Sequence, residues 1–170
     1  MNILAEHRIT QLFELKRERL LNVYFTAGYP NLNDTVRIAR SLEEAGADLL
    51  EIGIPYSDPI ADGPTIQDSS TQAIKNGMTL DVLFQQLKQL RTKVQVPVLL
   101  MGYLNPVLQF GMEKFCQKCQ EVGIDGVILP DLPMYEYEES YAEMFEQYGI
   151  QNVFLVTPQT GDHRIKTIDK

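Results

Sequence analysis

Two carboxylates, Glu51 and Asp62, are the residues whose positions most favour chemistry. Glu51 follows Leu49 and Leu50 and precedes Ile52, so it lies inside an apolar run typical of a buried strand. A carboxylate in such a run is costly unless it is paired, protonated or used, and general acid–base catalysis is one such use. Asp62 comes 11 residues later, in the loop that follows the run.

Each acid also has a structural interpretation. Glu51 could brace the following loop by accepting hydrogen bonds from its amide groups, and position alone leaves brace and catalyst equally open. Asp58 and Asp62 precede Pro and Gly, where Asp commonly caps a turn. A calcium loop that starts at Asp58 would need Glu at its twelfth position, which is Ser69, so we expect no metal site here.

Five apolar segments alternate with helical patterns along the chain. A helix at about residues 6–18 precedes the first segment. The patterns predict strands at 21–28, 47–55, 96–104, 126–133 and 151–158, and helices at 35–46, 65–77, 80–93, 112–123 and 135–149, with a further helix opening at 162. Apolar strands without alternation, separated by helices, indicate an α/β protein whose parallel sheet is covered on both faces.

The parallel sheet could be an open doubly wound sheet or a barrel. FTAGYPNLND, after the first strand, lacks the G-x-G-x-x-G typical of a dinucleotide-binding sheet, so we favour a barrel and a single domain over 1–170. Catalytic groups of barrels lie at the carboxyl ends of the strands. Polar residues at predicted strand ends are Thr26, Glu51, Tyr103, Asn105, Asp131 and Thr157.

Charge and hydropathy exclude several classes of protein. The net charge is −8 with a pI near 4.7, which disfavours nucleic acid and anionic membranes as partners. No run of about 18 apolar residues is present, and the N-terminus mixes both signs of charge, so we expect neither a membrane span nor a signal peptide. We predict a cytoplasmic protein.

Cys116 and Cys119 form a C-x-x-C within a helical pattern. A structural zinc site needs about four ligands, and His7 and His163 are distant in the chain. We therefore predict two ordinary helix cysteines rather than a redox or metal site.

The stretch LLEIGIPYSDPIADGPTIQ (49–67) resembles the signature of the tryptophan synthase α subunit family. FTAGYP, LLMGYLNPV and LPDLP are similar to further segments of that family, in the same order. The resemblance implies a (β/α)₈ TIM barrel that cleaves indole-3-glycerol phosphate to indole and glyceraldehyde 3-phosphate in tryptophan biosynthesis. It also implies a β subunit partner in an α₂β₂ tetramer, with pyridoxal phosphate in the partner and no cofactor in this chain.

The same resemblance assigns roles to individual residues. Glu51 corresponds to the catalytic glutamate that protonates indole C3, and Asp62 to the catalytic aspartate at the indole nitrogen. A strand-held and a loop-borne carboxylate suit a division into acid and base. The positions that line the indole pocket or support the loop are Tyr24, Thr26, Tyr103 and Leu155. The positions near the β subunit are Asp58, Pro59, Asn105 and Pro133.

The length of 170 residues is short for an eight-unit barrel of roughly 250. The family's tyrosine after strand 6 and its Gly- and Ser-rich phosphate turns after strands 7 and 8 have no counterpart in this sequence. We therefore expect the first five β/α units, about two thirds of a family member. The alternative function is an incomplete fragment that only binds the β subunit. Another phosphate-sugar barrel is a weaker alternative, because no metal-binding His or Schiff-base Lys lies at a predicted strand end.

Overall fold

The centre of the protein is a five-stranded parallel sheet; the computed structural model describes residues 7–59 and 62–168. The strands lie in the order in which they occur in the chain. They are β1 (Asn22–Thr26), β2 (Leu49–Gly53), β3 (Val98–Met101), β4 (Gly126–Ile128) and β5 (Gln151–Asn152). A doubly wound sheet would reverse this order at a switch point. The uninterrupted order confirms the prediction of a barrel-type sheet.

Helices connect every pair of consecutive strands, as parallel crossovers require. They are α1 (Arg8–Leu15), α2 (Thr35–Glu44), α3 (Pro64–Lys75), α4 (Leu80–Leu87), α5 (Leu104–Phe110), α6 (Met112–Val122), α7 (Met134–Glu136), α8 (Ala142–Gln147) and α9 (Asp162–Ile168). Short 3₁₀ turns cover Leu32–Asp34 and Leu90–Thr92, and a π-helical turn at Tyr137–Tyr141 joins α7 to α8. Within the described ranges, no helix is both long and apolar enough to cross a membrane.

The apolar run around Glu51 is explained by the alternation of side chains along β2. Leu50 and Ile52 are fully buried on the face of the sheet that packs against the helices. Glu51 lies between them and points to the opposite face, where it is only half-buried. Its register partners on β1 and β3 are Tyr24 and Leu99. One face of the sheet thus forms the core, and the other carries the candidate chemistry.

The predicted strand 96–104 is wrong at its carboxyl end. β3 ends at Met101, and α5, which the sequence did not reveal, begins at Leu104. The backbone N–H of Leu104 donates to Asp131 Oδ1 at 2.9 Å, which satisfies one amide of the first helical turn. Pro106 is tolerated there because the amides of the first turn have no partner within the helix. Asn105 therefore lies on a helix and does not close a strand.

The last two predicted strands are also too long. β4 covers Gly126–Ile128 and β5 only Gln151–Asn152, so Asp131 and Pro133 lie in the loop after β4, and Thr157 in the segment after β5. Proline has no N–H to donate, so Pro130 cannot extend the ladder. β5 pairs with β4 alone among the described residues, which leaves it without a second neighbour.

Asp125 joins several elements at the amino end of the sheet. Its carboxylate accepts from the side chain of Arg91, from Arg8 Nη1 at 2.9 Å and from the backbone N–H of Val98 at 2.8 Å. Asp125 is only 3% exposed. A buried carboxylate is stable when its charge and lone pairs are all matched, as they are here. The cluster fixes α1 and the start of β3 against the start of β4.

Replacement of Asp125 by Ala should strongly destabilise the fold, because it leaves Arg91 and the Val98 amide without their acceptor. We expect the free energy of unfolding to fall by about 3 to 5 kcal/mol. Urea denaturation followed by circular dichroism measures this change. Glu44→Ala, which removes the exposed ion pair with Arg40, is the control and should cost about 1 kcal/mol or less. Equal midpoints for the two variants would contradict a stabilising role for the cluster.

Cys116 and Cys119 lie on α6, fully buried in the core, as predicted for two helix cysteines. Both are free thiols. Burial raises the pKa of Cys116 to about 12 and raises that of Cys119 well above its usual value. The reactive thiolate is therefore scarce at neutral pH in both residues.

A raised pKa keeps both thiols protonated at mildly alkaline pH, so we expect slow modification of the folded chain. Reaction with an aromatic disulfide reagent at pH 8 should release less than about one equivalent of thiolate in the folded state and two in urea. The absorbance of the released thiolate measures the number of reacting thiols in the folded state and in urea. Rapid reaction of two thiols in the folded chain would show that α6 does not pack as described.

Candidate active site

A cavity of about 250 Å³ opens at the carboxyl end of the sheet. Its lining comes from β1, from the loops after β2, β3, β4 and β5, and from α3. The lining residues are Tyr24, Ile54, Asp62, Ser70, Met101, Gly102, Tyr103, Pro130 and Leu155. Its surface is mostly apolar, with one carboxylate and two phenols among its polar groups. Such a lining suits a flat aromatic ligand that carries a single polar edge.

Tyr24 occupies the centre of the polar groups. It lies on β1 in register with Glu51, so both side chains project from the same face of the sheet. Burial raises the pKa of the Tyr24 phenol, and the nearby charges of Asp62 and Glu51 raise it further. Both carboxylates are therefore within electrostatic reach of one phenol.

Gly53 makes room for the Tyr24 ring. A Cβ at position 53 would lie 2.1 Å from the phenol oxygen of Tyr24, closer than any side chain allows. The absence of a side chain at the end of β2 therefore lets the ring lie directly on the neighbouring strand.

Glu51 is the third of the five residues of β2, deeper in the strand than an end position. Asn22 Nδ2 donates to Glu51 Oε1. Within the described part of the chain, the hydrogen bond to Glu51 thus comes from a side chain of β1, and none comes from the loop amides of the brace interpretation. Among the described residues, Oε2 of Glu51 has no hydrogen-bond partner, and Glu51 itself does not line the cavity.

Asp62 lines the cavity from the loop before α3. Its backbone carbonyl accepts from Gln67 Nε2 at 2.7 Å, which ties it to the first turns of the helix. Gly63 precedes the helix, and Pro64 is its first residue. Asp62 is thus held at its backbone, while its side chain faces the cavity. Ile60 and Ala61 of the predicted loop lie outside the described residues.

The four residues predicted to line or support a pocket fall at the same end of the sheet. Tyr24, Tyr103 and Leu155 line the cavity, and Leu155 is 50% exposed. Thr26 lines a neighbouring cavity of about 410 Å³ that shares Tyr24 with the first. Tyr103 also packs on Tyr56 of the loop after β2, with ring centroids 5.1 Å apart.

The four residues predicted to face a partner lie around the rim of the cavity, outside its lining. Asp58 and Asn105 are exposed, and Pro59 and Pro133 are half-buried. They belong to the segments that follow β2, β3 and β4, so they share one end of the molecule. Asp58 accepts a hydrogen bond from the neighbouring Ser57, an arrangement typical of an ordered turn.

The sequence interpretation missed Asn22, Ser69 and Ser70. Asn22 had a detectable signal, because polar residues at 22, 24 and 26 share one face of a strand. Ser69 and Ser70 had none, since Ser on a helix is usually solvated. Among the described residues, no group of three or more His, Cys, Asp or Glu side chains could hold a metal ion.

Comparison with known proteins identifies relatives over almost the whole chain. The family model "Tryptophan synthase alpha chain" matches residues 11–170. The tryptophan synthase alpha chain of Flavobacterium psychrophilum is 59% identical over 163 residues, which are 96% of this chain and 64% of the relative. That of Bacteroides thetaiotaomicron is 50% identical, with the same shares of each chain covered.

Solved structures agree with these relatives. The alpha subunit of Legionella pneumophila superimposes with a TM-score of 0.89 and 37% identity, over 96% of this chain and 64% of that one. A tryptophan synthase complex from Pyrococcus furiosus superimposes with a TM-score of 0.82 and 39% identity, over 89% of this chain and 62% of that one. The five strands are therefore part of a TIM barrel, and the chain spans about 64% of the relatives' length. The chain belongs to the tryptophan synthase alpha chain family.

Proposed function

We propose that the site performs the lyase reaction of this family, the retro-aldol cleavage of indole-3-glycerol phosphate to indole and glyceraldehyde 3-phosphate. The observation that carries the proposal is that Asp62 and Tyr24 line one mostly apolar cavity, while Glu51 lies beside Tyr24 in the register of β1 and β2. The cavity accommodates the indole ring between Tyr24, Tyr103 and Leu155.

The reaction moves two protons and breaks one carbon–carbon bond. A proton is added to indole C3, and another leaves the hydroxyl on the adjacent glycerol carbon. The bond between these carbons then breaks, its electron pair returns to the ring, and the hydroxyl carbon becomes the aldehyde. Asp62 accepts a hydrogen bond from the ring N–H, and its negative charge stabilises the positive charge that develops on the nitrogen. No metal or cofactor is needed in this chain for these steps.

Glu51 is the proposed proton donor to C3 and the base for the glycerol hydroxyl. Asn22 anchors Oε1, while Oε2 has no hydrogen-bond partner among the described residues. One oxygen is thus available for proton transfer. In this proposal the substrate extends from the cavity to the level of the sheet at which Glu51 pairs with Tyr24.

The phosphate group of the substrate needs hydrogen-bond donors, and neither of the two cavities provides a positively charged side chain for it among the described residues. Their described lining contains no Lys, Arg or His. This observation favours a second candidate function, in which the chain binds a tryptophan synthase β chain and does not cleave the substrate. The exposed Asp58 and Asn105 would then serve only as contacts, and pyridoxal phosphate would belong to the partner.

Glu51→Gln and Asp62→Asn test the lyase proposal. Loss of a general acid or base lowers the rate by about 10² to 10⁴-fold, and we expect Glu51→Gln to fall in this range. Indole production from indole-3-glycerol phosphate is measured by chromatography, for the chain alone and after fusion to the C-terminal third of the F. psychrophilum relative. Glu44→Gln, an exposed carboxylate on α2, is the matched control and should keep full activity.

Binding separates chemistry from folding in these variants. The chain contains no tryptophan, so the fluorescence of added indole reports its binding without a tryptophan background. We expect Glu51→Gln to bind indole as the parent chain does. Near-normal turnover in Glu51→Gln would remove Glu51 from the mechanism, and absence of indole production from both chain and fusion would end the lyase proposal.

Titration with a tryptophan synthase β chain tests the partner surface. We expect complex formation by calorimetry, and a loss of affinity of about 5- to 30-fold in the double variant Asp58→Ala, Asn105→Ala, as for interface residues of moderate importance. Glu44→Gln lies on α2, away from the rim, and should bind normally. Undetectable binding by the parent chain, with no effect on β activity, would exclude the partner role.

A further inference from the structure

A chain of hydroxyl groups links the candidate active site to helix α3. The phenol oxygen of Tyr24 lies 3.5 Å from Thr26 Oγ1, and Thr26 Oγ1 lies 2.7 Å from Ser69 Oγ. Ser69 Oγ in turn lies 2.9 Å from the backbone carbonyl of Ile66, one turn earlier on α3. These contacts, of which the one between Tyr24 and Thr26 is the longest, lead from the cavity wall to the helix.

The end of this path sets the direction of every hydrogen bond in it. A carbonyl accepts and never donates, so Ser69 must use its single proton on Ile66. Ser69 can then only accept the hydrogen bond that it shares with Thr26, so the hydroxyl proton of Thr26 points to Ser69. Thr26 has only its lone pairs left for Tyr24, so the phenol is the donor at the start of the path. Ser69 therefore determines which way the Tyr24 hydroxyl points.

Ser69 also belongs to the helix that follows Asp62. α3 begins two residues after Asp62, and Gln67 on its first turns holds the Asp62 carbonyl. The hydroxyl path ties this helix to the end of β1, where Thr26 is only 5% exposed. Movement of α3 would thus displace both Asp62 and Ser69, the partner of Thr26.

We propose that Ser69 is a positioning residue for the lyase reaction: through Thr26 it orients Tyr24, and through α3 it keeps Asp62 in the wall of the cavity that Tyr24 also lines. The inference rests on the proposed function, because it assigns Ser69 a role in that reaction. Ser69 lines the neighbouring cavity of about 410 Å³ with Tyr24 and Thr26, and not the cavity that holds Asp62, so it acts on the Asp62 cavity through its neighbours.

Three variants separate positioning from a simple structural link. Ser69→Ala removes the hydroxyl, and Ser69→Thr keeps it. Thr71→Ala is the matched control, because Thr71 is exposed on the same helix and its side chain makes no hydrogen bond with the described residues. Thr26→Val interrupts the path at its second member, so it tests the same link if Ser69→Ala folds poorly.

The first measurement does not depend on catalysis. The ring signals of Tyr24 are assigned in the NMR spectrum by comparison with Tyr24→Phe. We expect them to shift in Ser69→Ala and Thr26→Val, and to keep their positions in Ser69→Thr and Thr71→Ala. Unchanged Tyr24 signals in both Ser69→Ala and Thr26→Val would overturn the inference, whatever the activity of the chain.

The second measurement is steady-state kinetics in the form that produces indole, either the chain or its fusion. Loss of one ordinary hydrogen bond corresponds to a rate factor of about 3 to 10, so kcat should fall by this amount in Ser69→Ala. KM should stay within about 2-fold, because the cavity wall remains, whereas a purely structural link would change stability and leave kcat unchanged. Ser69→Thr should recover most of the loss.

The two proposals fail in different ways. Normal kcat in Ser69→Ala, with an active parent, overturns the role of Ser69 and leaves the lyase function intact. No indole from any form overturns the lyase function and the role of Ser69 in it, even if the Tyr24 signals shift. A kcat loss in Ser69→Ala that is no larger in the double variant with Thr26→Val supports a single shared path.

Discussion

The common direction of the five strands is the constraint on which the rest of the structure depends. Because every strand is parallel to its neighbours, all carboxyl ends meet at one edge of the sheet. Segments that are far apart in the chain, such as those containing Asp62, Tyr103 and Leu155, therefore line one cavity. A single antiparallel strand would carry its loop to the opposite edge and remove one wall.

The carboxylates of Asp125, Glu51 and Asp62 differ in how many partners they have. At the amino edge, Asp125 is buried and matched by two Arg side chains and an amide, so its charge stabilises the fold. Glu51 in the middle of β2 and Asp62 in the loop after it remain half-buried, and Glu51 has one hydrogen bond from Asn22 among the described residues. The contacts of Asp125 hold its carboxylate in place, whereas Oε2 of Glu51 has no hydrogen-bond partner among the described residues and is available to a ligand.

Periodicity along the chain predicted the type and order of the strands, and the helical placement of Cys116 and Cys119. It did not predict where strands end. β3 ends at Met101, and the first turn of α5 finds its acceptor in Asp131, from the loop after β4. That contact joins segments far apart in the chain, so no local pattern contains it. Pro130 likewise limits the length of β4, which ends at Ile128.

The sequence by itself determined the family, the two carboxylates and the residues expected around them, since each is written in a local motif. The tertiary structure decided how these groups are related. Register between β1 and β2 sets Glu51 beside Tyr24, with Asn22 on the same face as its partner, and α3 brings Ser69 to Thr26. The reason is physical: a hydrogen bond requires atoms about 3 Å apart, and for residues distant in the chain only the packing of strands and helices sets that distance.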